Sequence, residues 1–294
     1  MRYNFENKRY TNLSVDNLYY NITGFSTAID AYFQKDPIAI GTSAGFIGQQ
    51  IESVAIGYEA GKTQQEKWCV AIGNKAGHYS QGRRSIAIGS YAGSNSQLGE
   101  AIAIGNNAGS DGQLGYSISI GANSAKKQSY YAISIGSKAS QVYQANDAIA
   151  IGSYAGYPIQ KERSTAIGAY SGMDSDEDTL CLGYKAGYNG CRTKSILIGS
   201  YAGMAANVNN NVVILGTRSG CNSTVGANSI LIGSDIESTC NNTIVLNASG
   251  DAFTINNPGF YIAPTVLRTR AFGSVSGDVD IGYNTTSGEL FVKA

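Results

Sequence analysis

The chain is poor in side chains that could do chemistry, and those present stand apart. Its one histidine, His78, follows the small pair Ala76-Gly77, with no second histidine or cysteine pair close in sequence. Zinc needs three or four such ligands, and a nucleophile needs a base beside it, so His78 reads as a solvent-exposed turn residue. The five cysteines, Cys69, Cys181, Cys191, Cys221 and Cys240, are odd in number and show no CxxC spacing. They fit small buried thiols from a reducing compartment better than a disulfide framework or a zinc site. Asp174, Asp176, Glu177 and Asp178 form the one acidic cluster. A calcium loop counted from Asp174 wants glycine sixth and glutamate twelfth, where Thr179 and Lys185 stand, so a solvated corner is expected. Ser195 has no histidine in phase to activate it, and the glycines form neither GxGxxG nor a phosphate loop. The expectation is a protein with no catalytic residues, no cofactor and no metal.

Composition points the same way. Charged residues are 14% of the 294, against about 25% in a typical soluble domain. Lys plus Arg and Asp plus Glu balance at 21 each, so no net field steers the chain to nucleic acid or an anionic membrane. Glycine is abundant at 37 and proline scarce at 4, and the glycines keep no three-residue period, which excludes collagen and a Pro/Gly linker. No stretch approaches the ~20 apolar residues of a membrane span, and Met1 to Lys8 lacks the apolar core of a secretory signal.

What would position any site is a repeat. An apolar–small–apolar–Gly tetrad recurs thirteen times, from Ile38-Ala-Ile-Gly41 and Val54-Ala-Ile-Gly57 to Val213-Ile-Leu-Gly216 and Ile230-Leu-Ile-Gly233. Its anchor glycines lie 15 to 17 residues apart, most often 16, and Ile244-Val-Leu246 is a final copy without glycine. Each tetrad predicts a short strand, with the β-branched residues on one face and the small residue on the other. The anchor glycine supplies a bend, and a second small pair, as in Ala60-Gly61 and Ala92-Gly93, supplies another. One period is then one coil of an all-β, parallel β-solenoid of about thirteen 16-residue coils.

Two columns run along these coils. Eight residues before successive anchor glycines stand Gln49, Gln65, Gln81, Gln97, Gln113, Gln128, Gln144 and Gln160. Coils ~4.8 Å apart would bring these amides within reach of one another as a ladder. After Gln160 the column turns to Ser175, Cys191, Val208 and Val225, while the small tetrad position grows from Ala and Ser to Cys181, Leu197, Ile214 and Leu231. With the paired aliphatics assigned to the coil interior, the late strands would have a second apolar face in need of a partner. Leu197, Ile214, Leu231 and Val245 are therefore expected to form a trimer interface.

The tetrads, as in Ser53-Val-Ala-Ile-Gly57 and Ser85-Ile-Ala-Ile-Gly89, resemble the head repeats of trimeric autotransporter adhesins, the YadA-like heads. The variant with Ile-Gly-x-x-Ala-Gly and a following glutamine looks closer to fibre and spike proteins of large DNA viruses and phage-like particles. Asn247-Ala-Ser-Gly250, Gly259-Phe-Tyr-Ile-Ala-Pro264 and the stretch Gly282 to Glu289 resemble the segment that follows such repeats in viral fibres, ahead of an intramolecular chaperone. Pro264-Thr-Val-Leu-Arg268 departs from that segment's usual Pro-Ile-Arg. The resemblance implies a left-handed β-roll standing as a homotrimer, and a virion-surface protein serving host attachment; the alternative is the head of a bacterial adhesin. Residues 1–37 are expected to cap the roll or dock it to the particle body, 38–250 to form the solenoid, and 251–294 a small C-terminal β segment. The tyrosines after the anchor glycines, Tyr58, Tyr91, Tyr154, Tyr170, Tyr184 and Tyr201, mark an outer face able to meet a host glycan or receptor. No nucleic-acid partner and no membrane insertion are expected. A hexapeptide acyltransferase would need six-residue sides and a catalytic histidine, and an ice-binding face a threonine column, and neither matches.

Overall fold

The computed structural model describes residues 37–204, 208–221, 224–263, 280–283 and 290–293. The N-terminal docking segment and Pro264 to Arg268 lie outside the described residues. Among those described the chain is all β, a parallel solenoid of about 14 turns. Each tetrad is a strand of a 15-stranded parallel sheet, and equivalent residues pair in register from coil to coil, Ile86 with Ile102 and Ala87 with Ala103. A 7-stranded parallel sheet climbs the opposite side, from Thr63–Gln65 to Ile159–Gln160. The roll passes the boundary expected at residue 250. Phe253–Ile255 pairs in parallel with Ile236–Ser238, and Gly259–Ala263 with Thr243–Asn247, so part of the expected C-terminal segment is another turn. The strands Asp280–Tyr283 and Leu290–Lys293 form an antiparallel pair.

The interior is filled by the other face of the tetrad than the one expected. Ala55, Ala71, Ala87 and Ala103 are fully buried, while the aliphatics on either side are half-buried or exposed, up to 59% at Ile40. The reason is width. The coil is so flat that one glutamine side chain crosses it: Gln97 Nε2 donates to Ile86 O on the opposite strand at 2.9 Å. Alanine is what fits against that amide, and the isoleucines have no room inside.

Seven of the eight glutamines form a continuous buried ladder. Each Nε2 donates to the next coil's Oε1, from Gln65 to Gln81 at 3.0 Å through to Gln144 to Gln160 at 3.1 Å. Each also donates to a strand carbonyl, such as Ile118 O for Gln128 at 2.7 Å. At the far end Gln160 Oε1 takes a second bond, from Ser140 Oγ at 3.0 Å. Gln49 stands apart: half-exposed, it donates to Ile38 O, and Gln65 Oε1 is left without a partner.

The change near residue 170 is a change of filling, not of the path of the chain. Where glutamine gives way to Cys191, Val208 and Val225, the facing position enlarges to Cys181, Leu197, Ile214 and Leu231. A large polar group opposite a small apolar one becomes a small apolar group opposite a large one, and the close-packed interior keeps its volume. Leu197, Ile214, Leu231 and Val245 are therefore fully buried within their own chain, and the trimer interface expected of them is corrected: these side chains point into the roll.

The anchor glycines set the stacking. Gly105 has φ +129°, and a Cβ there would lie 2.6 Å from Gly121 O of the next coil; the column repeats this approach from coil to coil. Gly112, with φ +106°, has open space instead. Gly105→Ala should lose about 1–3 kcal/mol through backbone conformation alone, and more through the overlap, whereas Gly112→Ala meets only the first cost. Equal losses in a denaturant series would remove the close-approach argument. Gln97→Leu leaves Gln113 Oε1 without its donor, at about 1–3 kcal/mol, and takes one acceptor from Gln81 Nε2, which keeps Val70 O. Gln49→Leu should cost far less, and equal melting of the two variants would exclude a stabilising ladder.

Candidate interaction surfaces

The coil presents three kinds of surface. The first is the outer side of the long sheet, where two parallel columns of fifteen side chains run the length of the roll. One passes through Ile86, Ile102 and Ile118, the other through Ile88, Ile104 and Ile120. Both are aliphatic with few exceptions, Thr165 and Phe260 among them. The strip measures roughly 65 Å by 10 Å, larger than the apolar patches usual on monomers. The outer side of the short sheet is mixed instead, exposing Gln64, Asn95, Asp111 and Lys127 beside Tyr79 and Tyr143.

The second surface is the corner after the anchor glycine. Its second residue takes a left-handed backbone, φ 57° at Tyr91, 54° at Asn107 and 62° at Tyr201. Each such amide donates to the previous coil, Tyr91 N to Asn74 O at 2.8 Å and Asn107 N to Ser90 O at 2.9 Å, so stacking holds a turn that L-residues resist. The tyrosines expected in one row occupy two columns: Tyr58 and Tyr184 directly follow the glycine, and the other four come one residue later. Late in the roll the rings cover one another. Tyr154 and Tyr170 stack at 5.0 Å, Tyr184 meets Tyr201 edge-on at 5.2 Å, and Lys138 and Lys185 lie over Tyr154 and Tyr184.

The third is the corner before the tetrad, where the acidic cluster is engaged by neighbouring bases. Asp176 takes Lys161 at 2.6 Å, and Asp178 takes Arg163 Nε at 2.6 Å, which holds the Asp178 carboxyl below its usual range. These carboxylates serve coil-to-coil pairing. Ser195 is buried and donates to Asn209 O of the next coil at 3.0 Å, whereas Ser117, at the same place in its coil, closes its own bend by donating to Leu114 O at 2.6 Å.

His78 is not the exposed turn residue expected. It is 5% exposed, packed edge-on against Tyr79 at 4.0 Å, with Nε2 3.3 Å from Glu59 Oε2. Glu59 in turn holds Lys62 at 2.6 Å and Lys75 at 3.6 Å. Among the described residues no hydroxyl or thiol stands in hydrogen-bond contact with the imidazole. Among the described residues no set of three or more His, Cys, Asp and Glu could hold a metal ion, and no helix is long and apolar enough to cross a membrane. Of the five cysteines, Cys69, Cys181, Cys191 and Cys221 are buried and Cys240 is half-buried. Comparison with models of protein families, with curated proteins and with solved structures finds no match.

Burial lowers the His78 pKa, an effect that Glu59 opposes and the two lysines reinforce. Above the unfolded pKa of about 6.5 both states are neutral and stability is unaffected; as pH falls through that value toward the lower folded pKa, the unfolded chain binds the proton first and stability drops. Because the chain has a single histidine, the wild type should lose melting temperature as pH falls below about 6.5, and His78→Gln should lose less there. Identical profiles, or an imidazole proton resonance titrating above its ordinary value, would contradict this burial effect.

Proposed function

We propose that the chain is a structural fibre or spike protein of a virion or phage-like particle, a homotrimer displayed on the surface for attachment, and not an enzyme. The observation that carries this reading is the aliphatic outer face of the long sheet. At roughly 650 Å² in projection it approaches the ~800 Å² per partner of a standard interface. It runs unbroken from end to end, so its natural occupant is the same face of another copy. A closed rotational arrangement buries every copy of such a stripe without opening a filament. The resemblance of the tetrads to trimeric heads favours three copies over two. A long rod whose described residues include no nucleophile–base pair suits a structural role. The tail resemblance favours a virion over the alternative, an adhesin head, which would use the same face.

The association surface is thus transferred from Leu197, Ile214, Leu231 and Val245 to the residues that flank them. Ile88→Lys combined with Ile120→Lys should convert the trimer to monomers in sedimentation while far-UV circular dichroism stays unchanged. Leu231→Asp places a carboxylate inside the roll and should instead cost several kcal/mol of folding stability. A wild type that sediments as a monomer, or a double lysine variant that remains trimeric, would reject the proposed interface.

A further inference from the structure

We propose that a polar groove spanning three successive coils binds a neutral oligosaccharide. The groove, about 350 Å³, lies on the corner beyond the apolar sheet. Its walls are Asn107 and Asn123 on one side and Asn95, Asp111 and Lys126 on the other, over Ser110 and over Ser94, whose hydroxyl donates to Ser110 O at 3.1 Å. Tyr91 closes one end, its ring 41% exposed and Lys75 from the preceding coil lying over it at 5.5 Å.

Three features select the ligand. The groove brings together carboxamides, hydroxyls and a carboxylate, groups that both donate to and accept from a polyol, beside an aromatic ring of the kind a sugar face packs on. Six of the eight lining residues are uncharged; the charged ones are Asp111 and Lys126, with Lys127 4.0 Å from Asp111 and Lys75 over the Tyr91 ring, so uncharged polar groups dominate the lining. The amide groups are also available: Asn95 and Asn123 make no side-chain bond to the protein, and Asn107 donates only to its neighbour Asn106 at 2.8 Å.

The groove is a local departure from the pattern of its corner. Downstream, tyrosines in the same column stack on one another; upstream, Glu59 and Lys62 pair across it. Between them, asparagine and serine replace the bulky groups. Three coils at ~4.8 Å per step give the groove a length suited to two or three sugar units.

This inference deepens the attachment reading, on which its purpose rests, but its geometry stands without it. Saturation-transfer NMR tests it on the full chain, with N-acetyllactosamine, maltotriose, cellotriose and chitotriose as neutral probes and 3′-sialyllactose and a heparin tetrasaccharide as anionic ones. At least one neutral probe should bind. Its affinity should fall about tenfold in Tyr91→Asn and in Asn107→Gly with Asn123→Gly, substitutions that suit the left-handed backbone there, and hold in Tyr201→Asn. Silence from all four neutral probes, binding by the anionic probes alone, or neutral binding unchanged in the groove variants would overturn it. A trimer that binds no saccharide would fail this proposal alone, and a monomer that binds one would fail the fibre reading alone.

Discussion

The flatness of the coil is the constraint on which the rest of the structure depends. Sixteen residues divided among two short strands and two tight corners leave an interior that a single glutamine spans, as the bond from Gln97 to the opposite Ile86 carbonyl shows. Everything larger than alanine or serine opposite that amide must turn outward. The strongest hydrophobic groups of the repeat are thereby expelled to the surface, where they form a continuous stripe. A wider coil would have enclosed its isoleucines and left no such stripe.

A core that narrow cannot be stabilised by apolar burial alone, because methyl groups of alanine bury little surface. The early coils answer with hydrogen bonds. Each glutamine amide links two neighbouring coils and the facing strand, so polar groups taken out of water keep their partners. The late coils answer with volume instead, pairing Leu197 with Val208 and Ile214 with Val225. Both solutions fill the same cross-section, which is why the strand register passes from Thr165–Ile167 to Leu180–Leu182 and Ile196–Ile198 without a break.

The corners carry the variation. Their backbone is held by amides donated from coil to coil, so their side chains are free to differ, and they do: an ion-paired group around Glu59, the asparagine-lined groove near Asn107, a run of stacked tyrosines from Tyr154 to Tyr201. A rod built this way separates a uniform apolar face from varied corners, the division on which the proposed association and recognition rest.

The sequence by itself determined the period, the strands and the glutamine column, because each rests on a chemical type recurring at fixed spacing. A glycine every 16 residues marks where a Cβ cannot fit, and seven of eight glutamines meet as that spacing implies. It did not determine which face of the tetrad lies inside. Alternation tells that Ile and Ala point apart, and hydrophobicity then assigns isoleucine to the interior; only the distance between the two sheets decides otherwise. The same distance decided that Leu197, Ile214, Leu231 and Val245 compensate a vanished glutamine within one chain. The burial of His78 and the groove beside Tyr91 were likewise invisible, since both arise between side chains a full coil apart. In a stacked fold such neighbours are made by the rise between coils, a length that no single repeat contains.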